Sequence, residues 1–145
     1  MKYLSIVLII FMLASCGNDA KKESETAAVH KVMVQKDPLS ESAARGKEIY
    51  SELCITCHLA NGKGVSGVFP PLNPSDWLTK RRTESIHAVK YGLKGEIVVN
   101  GKPYNNIMNP LGLDDQEVAD VMNYTIQTWN KGEMVTVEEV IAVQE

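Results

Sequence analysis

The chain has 145 residues, with 15 Lys and Arg against 18 Asp and Glu and a formal net charge of −3 at pH 7. That length allows one globular domain once processed ends are set aside, and the acidic balance excludes nucleic acid as a partner, which needs a basic footprint. Aromatic residues make up only 6% of the chain, so a domain this small has little with which to fill a core and calls for an added staple.

The first residues, Met1-Lys2-Tyr3, lead into an apolar run from Leu4 to Leu13, the charged start and short hydrophobic stretch of a secretory signal. The run is too short to cross a bilayer comfortably. It ends in Leu13-Ala14-Ser15-Cys16, which resembles the lipobox of bacterial lipoproteins at all four positions. The resemblance implies a signal peptide over residues 1–15, cleavage before Cys16, and acylation of the Cys16 thiol as a lipid anchor. Stable anchoring takes more than one acyl chain. The alternative is an ordinary signal peptide in which Cys16 is incidental. Residues 16–39 are polar and charged with no sustained period, a flexible tether spanning about 25–30 Å as a random coil. The domain itself is expected over residues 40–145.

Asp37-Pro38 marks the start of the domain, and Ser40 is expected to cap a first helix running to about Cys54. Gly46 within it costs helix propensity; either another backbone approaches closely there, or the glycine is simply tolerated. The helix delivers Cys54-Ile55-Thr56-Cys57-His58. Two thiols three residues apart can each add to one vinyl group of a haem, and the imidazole that follows is placed under the iron as a proximal ligand. The cysteine count agrees: Cys16 for lipid, Cys54 and Cys57 for haem, none left over. Structural zinc takes four ligands, usually as two separated pairs, and the sequence has no second pair. A thioredoxin-like Cys-x-x-Cys needs a βαβ context, which is also missing.

Residues 59–73 form a loop rich in Gly and Pro, long enough to be functional and suited to wrapping a cofactor edge. Lys80-Arg81-Arg82 reads as a solvated run, with a haem propionate or an acidic partner as the alternative. The segment 83–91 predicts a short helix, with Ile86 and Val89 inward and Gly92 as its stop. Residues 97–104 predict a hairpin, with Asn100-Gly101 supplying a primed turn. Asp114 and Glu117 have the spacing of a capping box, and Val118, Val121, Met122, Thr125 and Trp129 continue as a helical stripe. Thr136 and Glu139 are a second such pair, opening a short last helix.

A haem held on one face leaves its sixth position to assign. Met33 lies in the tether, Met134 in the tail, and Met122 in the apolar stripe, where packing explains it. Met108 sits in an irregular segment before the long helix, and a thioether is a soft, neutral ligand that raises the reduction potential of haem iron. It is the better candidate. His87 is its rival and would give a bis-histidine iron of lower potential; His30 precedes the domain.

Several stretches together resemble class I monohaem c-type cytochromes over roughly residues 40–130. They are Ala44-Arg45-Gly46-Lys47-Glu48-Ile49-Tyr50 leading into the Cys-x-x-Cys-His motif, Asn61-Gly62-Lys63-Gly64, Phe69-Pro70-Pro71-Leu72, Met108 near a Pro, and the helix from Val118 to Tyr124. The resemblance implies an all-α cytochrome c fold. Its N- and C-terminal helices cross near Gly46, Tyr50 and Tyr124 over one covalently bound haem c, with a small hairpin-like loop before the distal ligand. It further implies that His58 is the proximal ligand, its other ring N–H held by the Pro70 carbonyl, that Leu72 packs on the haem, and that Met108 is the distal ligand. The family often has Pro directly after this Met, whereas here Asn109 intervenes before Pro110. The stretch from Gly95 to Asn105 resembles cytochrome domains that serve nitrite reductases, terminal oxidases and periplasmic dehydrogenases. Trp77, Tyr104 and Asn105 are candidate propionate or haem-edge contacts.

The expectation is a carrier of single electrons between redox proteins, lipid-anchored to a bacterial membrane and facing the periplasm or the outside. It would have no small-molecule substrate and no enzymatic activity of its own. Two alternatives stand beside it: a haem-based gas sensor or weak peroxidase with a labile sixth ligand, and a dedicated electron-entry subunit of an oxidase, reductase or dehydrogenase complex.

Overall fold

The computed structural model describes residues 37–145. The expected signal peptide, Cys16, His30, Met33 and the part of the expected tether up to residue 36 lie outside the described residues. The first helix, α1 (Pro38–Ile49), begins two residues before the expected domain start. Asp37, not Ser40, is its cap: the Asp37 carboxylate accepts the Ser40 N–H at 3.2 Å. Pro38 decides between the two, because it lacks an N–H and its fixed φ suits the first helical turn. The helical path also continues past Cys54. Residues Tyr50–Cys54 form a stretch of π-helix, and α2 (Ile55–His58) carries the chain through the motif. Such π insertions are rare and concentrate at functional sites.

Helix α1 crosses the long helix α5 (Asp115–Trp129). At the crossing a Cβ on Gly46 would lie 1.9 Å from the Asp120 carbonyl oxygen, so this glycine marks a close backbone approach. Polar groups surround the contact. The buried Asp120 carboxylate accepts from Arg45 Nε at 2.6 Å and Nη2 at 2.7 Å, from Ser42 Oγ at 2.6 Å and from Gln116 at 3.0 Å. Asn123 donates to Ser42 Oγ and to the Val135 carbonyl, both at 2.9 Å, and accepts the Val135 N–H at 2.7 Å. Among the described residues no buried side-chain nitrogen or oxygen lacks a partner.

The start of α5 is a full capping box. The Glu117 N–H meets the Asp114 carboxylate at 2.8 Å, and the Asp114 N–H meets the Glu117 carboxylate at 2.9 Å. Between the crossing helices lie three smaller pieces. Helix α3 (Asp76–Lys80), capped by Ser75, falls where the sequence predicts no element. Helix α4 (Arg82–Tyr91) ends at Gly92, whose φ of 87° stops it. Strands β1 (Ile97–Val99) and β2 (Lys102–Tyr104) pair antiparallel, Ile97 with Tyr104 and Val99 with Lys102. Positive φ at Asn100 and Gly101 gives the primed turn that suits a two-residue hairpin.

The core lies between α4, α5 and the last helix, α6 (Val137–Ala142). Its buried residues include Leu78, Ile86, Val118, Met122, Ile126, Val135 and Val140. Arg82 fastens the C-terminal segment to this core. It pairs with Glu139 at 2.5 and 2.8 Å and donates to the Glu133 and Met134 carbonyls at 2.9 and 2.7 Å. Arg82 therefore departs from the reading of residues 80–82 as a solvated run. Lys80 and Arg81 keep to it as exposed side chains: Lys80 faces Asp76 on its own helix, and Arg81, between α3 and α4, faces Glu84. No helix among the described residues is long and apolar enough to cross a membrane.

Candidate functional site

A cleft runs between the motif segment, the loop 59–73, helices α4 and α5, the hairpin and the chain around Met108. It has an inner lobe of about 660 Å³ and an outer lobe of about 460 Å³, open space at the mouths included. His58, Pro70, Leu93, Ile97 and Met108 line both lobes. No Asp, Glu, Lys or Arg lines either one, which is the wall a large apolar ligand takes.

The motif straddles the two lobes: Cys54 lines the inner, Cys57 the outer and His58 both. The two thiols are not joined to each other in a disulfide. Burial, with the neighbouring Cys57 adding to it, pushes the Cys54 thiol up to about 11, so it is a neutral thiol and not a reactive thiolate. His58 is 9% exposed. Burial holds its pKa below the ordinary value, which makes it a neutral imidazole, and its Nδ1 lies 2.9 Å from the Pro70 carbonyl. That carbonyl can only accept, so Nδ1 carries the proton and Nε2 keeps the lone pair. A neutral imidazole with an orienting carbonyl and a thioether on one uncharged cleft fits the donor set of haem iron. Among the described residues no group of three or more His, Cys, Asp or Glu forms another metal site.

Backbone pairing fixes Met108 at the cleft. Its N–H donates to the Leu93 carbonyl at 2.9 Å, and its own carbonyl accepts the Leu93 N–H at 2.8 Å. The neighbouring Gly92 lets the two segments approach: a Cβ there would lie 2.6 Å from the Met108 carbonyl oxygen and 2.9 Å from Pro110. Met122 also lines the inner lobe but belongs to the core cluster, 2% exposed. His87 lines neither lobe; its ring lies tilted against Tyr91 with centroids 5.2 Å apart.

Leu72 and Trp77 line the inner lobe and Tyr104 the outer; Asn105 lines neither, and its neighbour Asn106 does. Sequence reading passed over Leu93, Ile97 and Val99 as cleft walls. The signal for the last two was the alternation of the hairpin, since Val98 between them is 54% exposed and period 2 turns its neighbours inward.

The residue after His58 has an unusual backbone. Leu59 takes φ 63° and ψ 160°, a region almost confined to glycine that costs about 1–3 kcal/mol elsewhere. Its carbonyl accepts the Tyr50 hydroxyl at 2.7 Å and the Gly62 N–H at 3.0 Å. The Gly64 N–H donates to the His58 carbonyl at 3.0 Å. Tyr50 is 2% exposed; burial, chiefly, raises its hydroxyl pKa well above the ordinary value, so it stays a donor.

Residues 43–129 match the family model described as cytochrome c. Cytochrome c-552 of Thermus thermophilus is 37% identical over 102 residues, covering 67% of this chain and 68% of that protein. The FixP subunit of the cbb3-type cytochrome c oxidase of Bradyrhizobium diazoefficiens is 32% identical over 98 residues, covering 63% of this chain and 32% of the subunit. The cytochrome c subunit of gluconate 2-dehydrogenase from Pantoea cypripedii is 31% identical over 144 residues, covering 91% of this chain and 30% of that subunit. The chain thus spans about a third of the length of those two complex subunits.

Proposed function

This chain belongs to the cytochrome c family, and on that premise we propose that it carries single electrons between redox proteins from a lipid anchor on a bacterial membrane. As a member it binds haem c covalently and transfers electrons; it is not an enzyme in its own right. The haem, when bound, supplies an iron that cycles between ferric and ferrous states. Cys54 and Cys57 provide the two attachment thiols, one on each lobe. His58 offers the Nε2 lone pair, while the Nδ1–H bond to Pro70 keeps the ring from turning. Met108 offers its thioether from a segment pinned to Leu93, a neutral donor that favours the reduced state. Leu72, Trp77 and Tyr104 keep water from the site. The observation that carries this reading is the neutral, carbonyl-oriented His58 sharing one uncharged cleft with Met108.

Electrons leave and arrive at the outer lobe, where Val68 and Ile107 are 41% and 60% exposed. Contact there is small and transient, as suits redox encounters. Electron self-exchange between two copies of the protein, followed by NMR line broadening, tests this face. Ile107→Lys is expected to slow it at least about tenfold, because each encounter then sets two ammonium groups against an apolar contact. An unchanged rate would move the port elsewhere.

The anchor rests on the lipobox-like Leu13-Ala14-Ser15-Cys16, whose first three residues close a signal peptide over 1–15 and whose Cys16 opens a tether that ends before α1 (Pro38–Ile49). Cys16→Ser is expected to shift the protein from the membrane to the soluble fraction; retention on the membrane would count against lipidation. A second reading, a dedicated subunit of one enzyme complex, draws on the likeness to the two oxidase and dehydrogenase subunits. Purification of the protein from its native membrane separates the two, since a stoichiometric oxidase or dehydrogenase would favour the subunit.

A further inference from the structure

We infer that Tyr50 is a positioning residue, whose hydroxyl closes a cinch around the attachment motif by holding the Leu59 carbonyl and thereby fixes His58. The inference rests on reading His58 as the iron ligand. The hydrogen bond joins residues nine apart, and Cys54, Cys57 and His58 all lie inside the loop it closes. Leu59 follows His58 directly and sits at φ 63°, ψ 160°, where a side chain is strained. Its own side chain is 39% exposed, so burial of the leucine does not hold that conformation. Two donors do, the Tyr50 hydroxyl and the Gly62 N–H.

Tyr50 cannot swing away to make another bond. Its ring packs against Tyr124 and Trp129 at centroid distances of 5.3 and 5.1 Å, and those two lie 5.4 Å from each other. The clamp on the ring is part of the α1–α5 crossing, whereas the hydroxyl acts on the segment after the motif. The two roles separate cleanly in Tyr50→Phe, which keeps the ring and removes only the hydroxyl.

In the holoprotein, Tyr50→Phe is expected to speed hydrogen exchange at the Gly62 and Gly64 amides about five- to tenfold, the factor that one net hydrogen bond represents. The reduction potential should shift with it, while exchange in α5 from Val121 to Ile126 stays as it was. Leu59→Gly relieves the backbone strain, so in that background Tyr50→Phe should change neither the exchange nor the potential. The inference is overturned by any of three results: unchanged exchange or potential in Tyr50→Phe, faster exchange spread equally through α5, or the same response with and without Leu59→Gly. Failure of the underlying reading looks different. His58→Ala would then keep the low-spin haem spectrum, whereas Tyr50→Phe can fail with that spectrum intact.

Discussion

Gly46→Ala is expected to destabilise the holoprotein by about 3 kcal/mol, which lowers Tm by roughly 12–24 °C in a domain of this size. The new Cβ would meet the Asp120 carbonyl oxygen at 1.9 Å, its carbon at 2.4 Å and the Val121 nitrogen at 2.8 Å. All three are backbone atoms of α5, so no rotamer change relieves the clash. The helices would have to part by about 1 Å or more, since overpacked interiors relax only in part. Parting them also lengthens the Arg45–Asp120 and Ser42–Asp120 bonds, which run across the same crossing at 2.6 Å. Asp120 is 2% exposed, and a buried charge that loses its partners is costly. Thermal unfolding followed by far-UV circular dichroism measures the effect. A Tm within a few degrees of the parent would mean that the two helices slide apart freely.

Met108→Ala is expected to open the sixth position without unfolding the chain. The reduced protein should then bind carbon monoxide readily where the parent does not. Its reduction potential should fall on the order of a hundred millivolts, within the roughly 0.8 V that axial ligation spans. The backbone bonds between Met108 and Leu93 need no side chain, so the segment keeps its place while the thioether is lost. Absorbance spectra of the reduced protein with and without carbon monoxide read the first effect, and a redox titration reads the second. A variant inert to carbon monoxide would transfer the role, and Met122 on the inner lobe is then the first residue to examine. His87, turned onto Tyr91 away from both lobes, is poorly placed for it.

What the sequence made legible was local. The Asp114–Glu117 box, the Gly92 stop and the Asn100-Gly101 turn each declare themselves within four residues, because the backbone geometry they serve is closed within one turn. The Cys-x-x-Cys-His motif was legible for the same reason. Features that depend on distant partners were not. Gly46 left two readings open until Asp120, on another helix, was seen against it. Arg82 read as one of three surface charges because its acceptors lie more than fifty residues away. Helix α3 is only five residues long, too short to show a period, and the π stretch of Tyr50–Cys54 has no period of its own. Leu59 is the least legible of all. Nothing in a leucine announces positive φ, and its conformation is set by Tyr50 and Gly62. In the site, the chemistry-bearing residues stood out by type, while walls such as Leu93 and Ile97 are ordinary apolar residues whose role comes from topology.

The Asn123–Val135 pairing bears on where this module can be cut. A chain trimmed after Trp129 would keep Cys54, Cys57, His58 and Met108, yet it would strip Asn123 of both bonds to Val135. The same cut would take every acceptor from Arg82 outside its own helix. It would also remove Val135, Val140 and Val143 from behind Met122 and Leu78, two walls of the cleft. The unit that folds is therefore longer than the stretch that bears the chemistry. Transplanted into a fusion, the domain has to travel with its tail through residue 143.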